Sequence, residues 1–252
     1  MPERGGIPPL CWPLSCSPVP VALRPWPILN SIHQSTPSLR AALVSWDHDG
    51  SPADATDSFS AKRVADVVLS LAAILIFLPL LGLIVLAIKL DSRGPALFRQ
   101  HRTGRHGRIF EIYKFRSMTV LEDGADVVQA RAGDVRITRV GRILRILSLD
   151  ELPQLFNVLS GEMSLVGPRP HAVTHDEYYS ERIAHYRLRQ LVKPGITGWA
   201  QINGARGATP RLSDMQARVE LDIAYVGRES LRFDLLILAR TPLAVLRRRN
   251  AV

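Results

Sequence analysis

The sequence predicts an α-rich α+β protein with a membrane-embedded helix near its N-terminal third. Three observations lead to this class. About 22 consecutive residues, Val67 to Ile88, carry no charge, which is long enough to enter a bilayer. Two strand-like runs flank a glycine-containing turn between residues 96 and 113. Arg139 to Leu147 reads as a basic amphipathic turn of helix, and a helix start signal follows at Ser148.

The bulk composition bounds what the chain can do. It has 252 residues, 46% of them hydrophobic, enough for one good-sized domain plus extras. Its formal charge of +9 favours an anionic partner, whether nucleic acid, anionic lipid or nucleotide phosphates. Cys11 and Cys16 are the only cysteines, so no disulfide framework or cysteine metal site holds the remainder of the chain.

Three segments follow from the N-terminus. Residues 1–59 read as a Pro-rich disordered tail or a start placed too far upstream, because Pro2, Pro8, Pro9, Pro13, Pro18, Pro20, Pro25, Pro27, Pro37 and Pro52 defeat helix and sheet alike. They do not make a signal peptide, since prolines break every apolar run. Residues 60–90 form the apolar segment, and 91–252 the folded domain. Lys62 and Arg63 precede the apolar run, while Lys89, Arg93 and Arg99 follow it. Positive charge marks the cytoplasmic side, and here it stands at both ends. A helix that enters, breaks at Pro79 and returns satisfies both; a simple span and a buried core helix remain open.

Next, Ala96–Gln100 and Arg108–Tyr113 pair as a hairpin, with Gly104 and Gly107 in the turn. The basic run Arg102–Arg108 is either a solvated loop or a phosphate or lipid-headgroup contact. Residues 120–135 form an acidic surface loop or short helix. Arg139–Leu147 is a basic amphipathic turn of helix. Ser230–Arg249 either lies on a membrane surface or closes the core.

The chemistry concentrates at Ser148-Leu149-Asp150-Glu151-Leu152-Pro153-Gln154. Ser148 and Glu151 fit a capping box, which would leave Asp150 and Glu151 complementing the helix dipole. The functional reading is that a carboxylate at a helix start stays ionised for use as a nucleophile or metal ligand, and its neighbour can hold Mg²⁺ shared with substrate phosphates. Arg145 lies about one turn upstream. Arg169 stands between Pro168 and Pro170, on a backbone stiff enough to pre-position a guanidinium for phosphate. Lys193–Gly204 is a glycine-rich loop without the Gly-Lys-Ser/Thr ending of a Walker A motif. No Gly-x-Ser-x-Gly elbow is present, and His171 and His175 read as surface histidines.

Several strings taken in series resemble one family. They are Lys62-Arg63-x-x-Asp66, Arg93-Gly94-Pro95-x-x-Phe98-Arg99-Gln100, Tyr113-Lys114-Phe115-Arg116-Ser117-Met118, the Asp150-Glu151 string, Met163–Pro170 and Lys193–Gly198. Together they are similar to the bacterial sugar transferases, the monotopic polyprenyl-phosphate phosphoglycosyl transferases, over residues 60–245. Ala65 and Leu78 depart from residues the family often has, an aromatic and a serine. The resemblance implies a monotopic protein with a re-entrant membrane helix broken at Pro79 and a small cytoplasmic catalytic domain at the bacterial inner membrane. It implies a catalytic Asp150-Glu151 dyad, with Mg²⁺ held chiefly by Glu151 beside Asp150. It also implies that Arg145, Arg169 and Lys114 hold substrate phosphates, with Asp222 contributing to the site.

The implied reaction moves a sugar 1-phosphate from a UDP-sugar to undecaprenyl phosphate through a phosphosugar-aspartyl intermediate. The expected partners are those two substrates, inner-membrane lipid, a second copy of the chain and downstream glycosyltransferases, and not nucleic acid. A basic membrane-tethered binding protein would account for the +9 charge but not for the dyad or the stiff Pro-Arg-Pro; a scaffold with a degenerate site would not keep both intact.

Overall fold

The computed structural model describes residues 60–119 and 133–246. The expected 1–59 tail, most of the acidic 120–135 segment and the Arg247-Arg248-Arg249 cluster lie outside them. Helix α1 spans Ala61–Asp91, and its start is fixed by Ser60, whose Oγ accepts the Arg63 amide at 3.2 Å. The expectation that α1 breaks at Pro79 is corrected. Pro79 lies inside a single helix that stays helical on both sides of it. A proline removes one amide donor and presses on the preceding turn, which bends a helix without ending it when good helix formers flank it.

One face of α1 is buried through Asp66, Ser70, Ile74, Leu81, Ile84 and Ile88. The other faces are bare: Leu75, Ile76, Leu78 and Leu83 are between 57% and 72% exposed. Leaving such side chains in water costs about 1.5–3 kcal/mol each, so α1 is not the core helix of a water-soluble fold. By length and composition it is able to cross a membrane.

Both ends of α1 are tied to the same domain. Near its start, Arg63 donates to the Val158 and Leu159 carbonyls at 2.5 and 2.9 Å, and Asp66 Oδ1 accepts the Leu165 amide at 3.0 Å. Lys62 Nζ reaches Val166 O at 3.2 Å and the Asp234 carboxylate. At the far end, buried Arg116 donates to Ser92 O at 2.7 Å and Arg93 O at 2.8 Å, while Asp91 Oδ2 accepts the Val140 amide at 3.1 Å.

The expected hairpin is present as β1 (Leu97–Thr103) and antiparallel β2 (Ile109–Phe115). Alternation in β2 turns Phe110 and Ile112 into a cluster with Val158 and Met163, and places Lys114 on that same inward face. Helix α2 (Arg139–Leu147) is capped by Thr138, whose Oγ1 accepts the Gly141 amide at 2.9 Å. It ends at Ser148, and a 3₁₀ turn (Leu149–Glu151) leads into α3 (Gln154–Ser160).

The glycine-rich loop proves to be framework. Within it, β4 (Gly195–Thr197) pairs in parallel with β3 (Ser164–Val166), a second sheet that the sequence reading did not expect. The strands continue into a contact only glycine permits. A Cβ on Gly195 would sit 2.0 Å from Gly167 N, and one on Gly198 2.2 Å from Gly167 O. The rest is α4 (Val173–Ser180), a 3₁₀ segment (Tyr186–Leu191), α5 (Trp199–Ile202), α6 (Leu212–Val226) and α7 (Leu231–Leu246). Helix α7 closes the core through Ile237, which packs with Val166, Val192 and Tyr225, while Leu235, Leu243 and Leu246 stay exposed.

Gly195→Ala is expected to lower the melting temperature in detergent by a shift worth about 1–3 kcal/mol, because backbone rather than a flexible side chain blocks the new methyl. An unchanged melting temperature would show that the two strands part freely.

Candidate active site

Asp150 and Glu151 sit in the 3₁₀ turn between α2 and α3, and both are buried. The capping box expected at Ser148 is absent. Ser148 adopts the left-handed conformation at φ 58°, its side chain makes no cap bond, and its buried Oγ has no hydrogen-bond partner among the described residues. A capping serine needs extended backbone to aim its oxygen at the third amide, and a left-handed residue that ends α2 does not provide it.

The two adjacent carboxylates have different surroundings. Glu151 is clamped: Arg169 approaches with both terminal nitrogens, Nη1 to Oε2 at 3.1 Å and Nη2 to Oε1, and Lys114 Nζ lies 3.1 Å from Oε1. Burial alone would raise the Glu151 pKa, but the charges and hydrogen bonds of Arg169 and Lys114 hold it well below the ordinary carboxylate range. The magnitudes agree with that outcome. Each pair near 3 Å is worth about 5 kcal/mol at an effective dielectric of ~20, so two cations outweigh the desolvation of one carboxylate. Burial in turn pushes the Lys114 ammonium down, with Glu151 opposing.

Asp150 is the reverse case. Its carboxylate makes no hydrogen bond among the described residues, and burial, followed by the charge of Glu151, pushes its pKa up to about 6. Lys114, Arg145 and Arg169 act against that rise without cancelling it. Asp150 is thus a carboxylate that ionises near neutral pH with its oxygens free.

Of the expected phosphate-binding residues, Lys114 and Arg169 meet on Glu151. Arg145 lies within electrostatic reach of Asp150, with its Nη1 3.7 Å from Met118 Sδ. Asp222 is placed one layer back: it pairs with Arg189 at 2.8 and 3.0 Å, and Arg189 Nη2 donates to the Arg169 carbonyl at 2.6 Å. His171 is not at the surface as expected. It is buried, with Nδ1 2.7 Å from Tyr186 Oη and 2.9 Å from Arg189 Nη1, and burial keeps its pKa well below the ordinary histidine value.

Sequence reasoning missed Arg189, Arg218 and Asn157, which carry no motif. Asn157 accepts the Tyr113 amide at 3.0 Å and donates to Glu111 O at 2.7 Å, tying β2, and with it Lys114, to the helix that follows the dyad. The basic hairpin turn is framework too, since Arg105 Nε donates to Leu191 O at 3.2 Å.

Among the described residues no cluster of three or more His, Cys, Asp or Glu is present, and the two dyad carboxylates stand as an adjacent pair. That set fits Mg²⁺, a hard cation that takes one or two carboxylates and completes its shell with water and substrate phosphates. The free oxygens of Asp150 and the remaining lone pair on Glu151 Oε2 are the available ligands.

An unpaired buried carboxylate beside one held by two cations is a setting suited to a phosphate-bearing substrate. Comparison with known proteins then gives the family. The bacterial sugar transferase model matches residues 57–248, and the chain belongs to that family of phosphoglycosyl transferases. The UDP-glucose:undecaprenyl-phosphate glucose-1-phosphate transferase of Caulobacter vibrioides is 55% identical over 190 residues, 75% of this chain and 71% of that protein. A protein of the same name from Escherichia coli is 53% identical over 180 residues, 71% of this chain but 39% of its own length. The exopolysaccharide production protein PSS of Rhizobium leguminosarum is 46% identical over 191 residues, 74% of this chain and 96% of its own.

The raised pKa of Asp150 makes a stability prediction. A folded-state value above the ordinary 3.8 means that the folded chain holds this proton more tightly than the unfolded chain does. The stabilisation is complete below the ordinary value and is lost as pH rises through about 6. In the presence of a chelator, Asp150→Asn is expected to melt above the wild type near pH ~8, with the gap closing toward pH ~4. A gap that widens on acidification would reverse the assignment.

Proposed function

We propose that the chain transfers a sugar 1-phosphate from a UDP-sugar to undecaprenyl phosphate, giving undecaprenyl-diphosphate-sugar and UMP. The observation that carries this reading is the free, near-neutral Asp150 carboxylate next to the clamped Glu151. The names of the Caulobacter and Escherichia relatives describe this type of transfer with glucose, which makes UDP-glucose the first donor to test. The name of the Rhizobium relative speaks of exopolysaccharide production, which supports a product that downstream glycosyltransferases would extend.

Two displacements at phosphorus account for the chemistry. An oxygen of ionised Asp150 attacks the β-phosphorus of the donor; the new P–O bond forms as the bond to the bridging oxygen breaks, and that oxygen leaves with its electron pair on UMP. An oxygen of undecaprenyl phosphate then attacks the same phosphorus, and Asp150 leaves as a free carboxylate. Arg169 and Lys114 are fixed in place before the substrate arrives, so they stabilise charge developing on the phosphoryl oxygens without reorganising. Mg²⁺ bound at Glu151 and Asp150 would supply further charge neutralisation to the phosphates.

The site belongs at an interface because one substrate is soluble and the other is a lipid. Helix α1 supports a re-entrant, monotopic arrangement at the inner membrane with the domain in the cytoplasm. Lys62, Arg63 and Asp66 at its start and Asp91 and Ser92 at its end all bond to the same domain, which supports both ends lying on one side of the bilayer. With Cys11 and Cys16 replaced by serine, Ser60→Cys and Arg93→Cys should both be labelled by an impermeant maleimide from the cytoplasmic face alone. Labelling of the two from opposite faces would establish a span.

Purified full-length protein with Mg²⁺ and undecaprenyl phosphate is expected to release UMP from UDP-glucose or another UDP-sugar in a panel, and Asp150→Asn is expected to release none. Glu151→Gln should shift the Mg²⁺ titration to higher concentration. Normal turnover in Asp150→Asn would remove the nucleophile from this scheme.

A further inference from the structure

Pro168 and Pro170 carry no amide proton, so the turn that presents Arg169 has to be fastened through its carbonyls. We propose that His171 is a positioning residue for the binding of substrate phosphate: it orients the buried Arg189, which holds the Arg169 main chain so that the Arg169 guanidinium faces the site. This assignment rests on the reading of the site as one that receives the phosphates of a UDP-sugar.

The first observation is how the turn is held. Three successive carbonyls accept hydrogen bonds: Arg169 O from Arg189 Nη2 at 2.6 Å, Pro170 O from Arg102 Nη1 at 3.4 Å and His171 O from the Thr103 amide at 3.4 Å. The shortest is the one on Arg169 itself, the residue that clamps Glu151. Its donor, Arg189, is buried and meets Asp222 Oδ2 through Nε at 3.0 Å and Nη2 at 2.8 Å. The remaining nitrogen, Nη1, faces His171 Nδ1 at 2.9 Å and Tyr186 Oη at 3.3 Å. A guanidinium is a rigid plane with donors on three sides, so partners on every side fix both its tilt and its place. Asp222 takes one side, the Arg169 carbonyl the next, and His171 with Tyr186 the third. Without His171 the plane is free to pivot about Asp222, and the Arg169 carbonyl loses a fixed donor.

The second observation is what else the imidazole touches. Nε2 lies 3.5 Å from Nη1 of buried Arg218, whose Nη2 donates to Gly207 O at 2.6 Å. On the Nδ1 side Tyr186 Oη stands at 2.7 Å and donates in turn to Asp176 Oδ1 at 2.5 Å, which ties the ring to α4. Among the described residues the side-chain partners of His171 are thus Tyr186, Asp176, Arg189 and Arg218, and neither dyad carboxylate is one of them. The ring separates two buried guanidiniums, each of which holds a main-chain carbonyl. A neutral ring fits that place and a third cation does not; burial, followed by the charge of Arg189, keeps His171 neutral. A side chain so enclosed has no route to the substrate except through the groups it orients, and a loop that carries a binding arginine gains its precision from such support.

Two amides separate the roles of the ring nitrogens. Asparagine sets a polar atom near the Nδ1 position and glutamine one near Nε2, and either amide offers both a donor and an acceptor. Full-length protein in nanodiscs with Mg²⁺ would be titrated calorimetrically with UDP for the wild type, His171→Asn, His171→Gln and His171→Phe, with a melting curve for each. His171→Asn keeps the side that meets Arg189 and is expected to bind UDP within about threefold of the wild type, whereas His171→Gln and His171→Phe are expected to lose about tenfold or more. A histidine that only supports the fold would give losses that follow the melting temperature and do not separate asparagine from glutamine, and that result would overturn the proposal. UDP binding within about twofold of the wild type in His171→Gln and His171→Phe would overturn it as well, as would a wild type that binds no UDP. If neither His171→Gln nor His171→Phe folds, His171→Asn decides alone: retained affinity supports the proposal and a loss of about tenfold sinks it. Because the readout is binding, protein that shows the expected pattern but releases no UMP from any UDP-sugar would overturn the transfer reading and leave the positioning assignment standing.

Discussion

The charge of buried Glu151 is the constraint on which the rest of the site depends. A carboxylate this deep is tolerable only if cations meet it, and the two that do come from distant parts of the chain, Lys114 on β2 and Arg169 on the Pro-Arg-Pro loop. Three elements must therefore converge within a few ångströms. Much of the surrounding structure serves that convergence: Asn157 bonds β2 to α3, the strand pair β3–β4 holds the loop after Gly167, and Arg189 fixes the Arg169 carbonyl. Removing one partner would leave a buried charge unmatched, so the ion cluster makes these contacts interdependent.

Helix α1 is integrated with this framework at both ends. Arg63 donates to the last carbonyls of α3, the helix that begins just after the dyad, and Asp66 accepts from β3, which leads into the Arg169 loop. At the other end, Leu81, Ile84 and Ile88 pack with Phe115 and Leu144, and Leu149 and Leu152, on either side of the dyad, pack against that cluster. The residues that anchor the apolar helix are thus neighbours of the Asp150-Glu151 pair.

What was legible in the sequence divides along physical lines. Period-two alternation and turn glycines gave the hairpin, because both are local. That Lys114 and Arg169 stand beside Asp150 and Glu151 was legible from the family motifs that carry them. The capping box failed because a local pattern, serine three residues before glutamate, was overridden by the left-handed ending of α2. The break at Pro79 failed because a proline predicts a lost hydrogen bond, not the end of a helix packed along one face. The inner arginines were invisible for a different reason. Arg189 and Arg218 look like surface residues in a string, and only the fold brings Asp222, His171 and two main-chain carbonyls around them. Buried polar networks made of residues far apart in sequence leave no periodic signal.

The geometry of the dyad itself explains how two adjacent carboxylates come to have opposite properties. Successive residues of a 3₁₀ turn point about 120° apart, so Asp150 and Glu151 face different surroundings although they share a peptide bond. One direction meets two cations, and the other meets none at hydrogen-bond distance. A carboxylate saturated with hydrogen bonds is a poor nucleophile, since its lone pairs are committed. One that is buried and unpaired keeps them available, and its elevated pKa reflects a charge without a hydrogen-bonded partner. The ionised state of Glu151 contributes to this asymmetry, because its charge is the second cause, after burial, of the raised Asp150 pKa. The clamp on Glu151 and the raised pKa of Asp150 are then two consequences of one arrangement, in which the carboxylate that binds the cations raises the energy of its ionised neighbour.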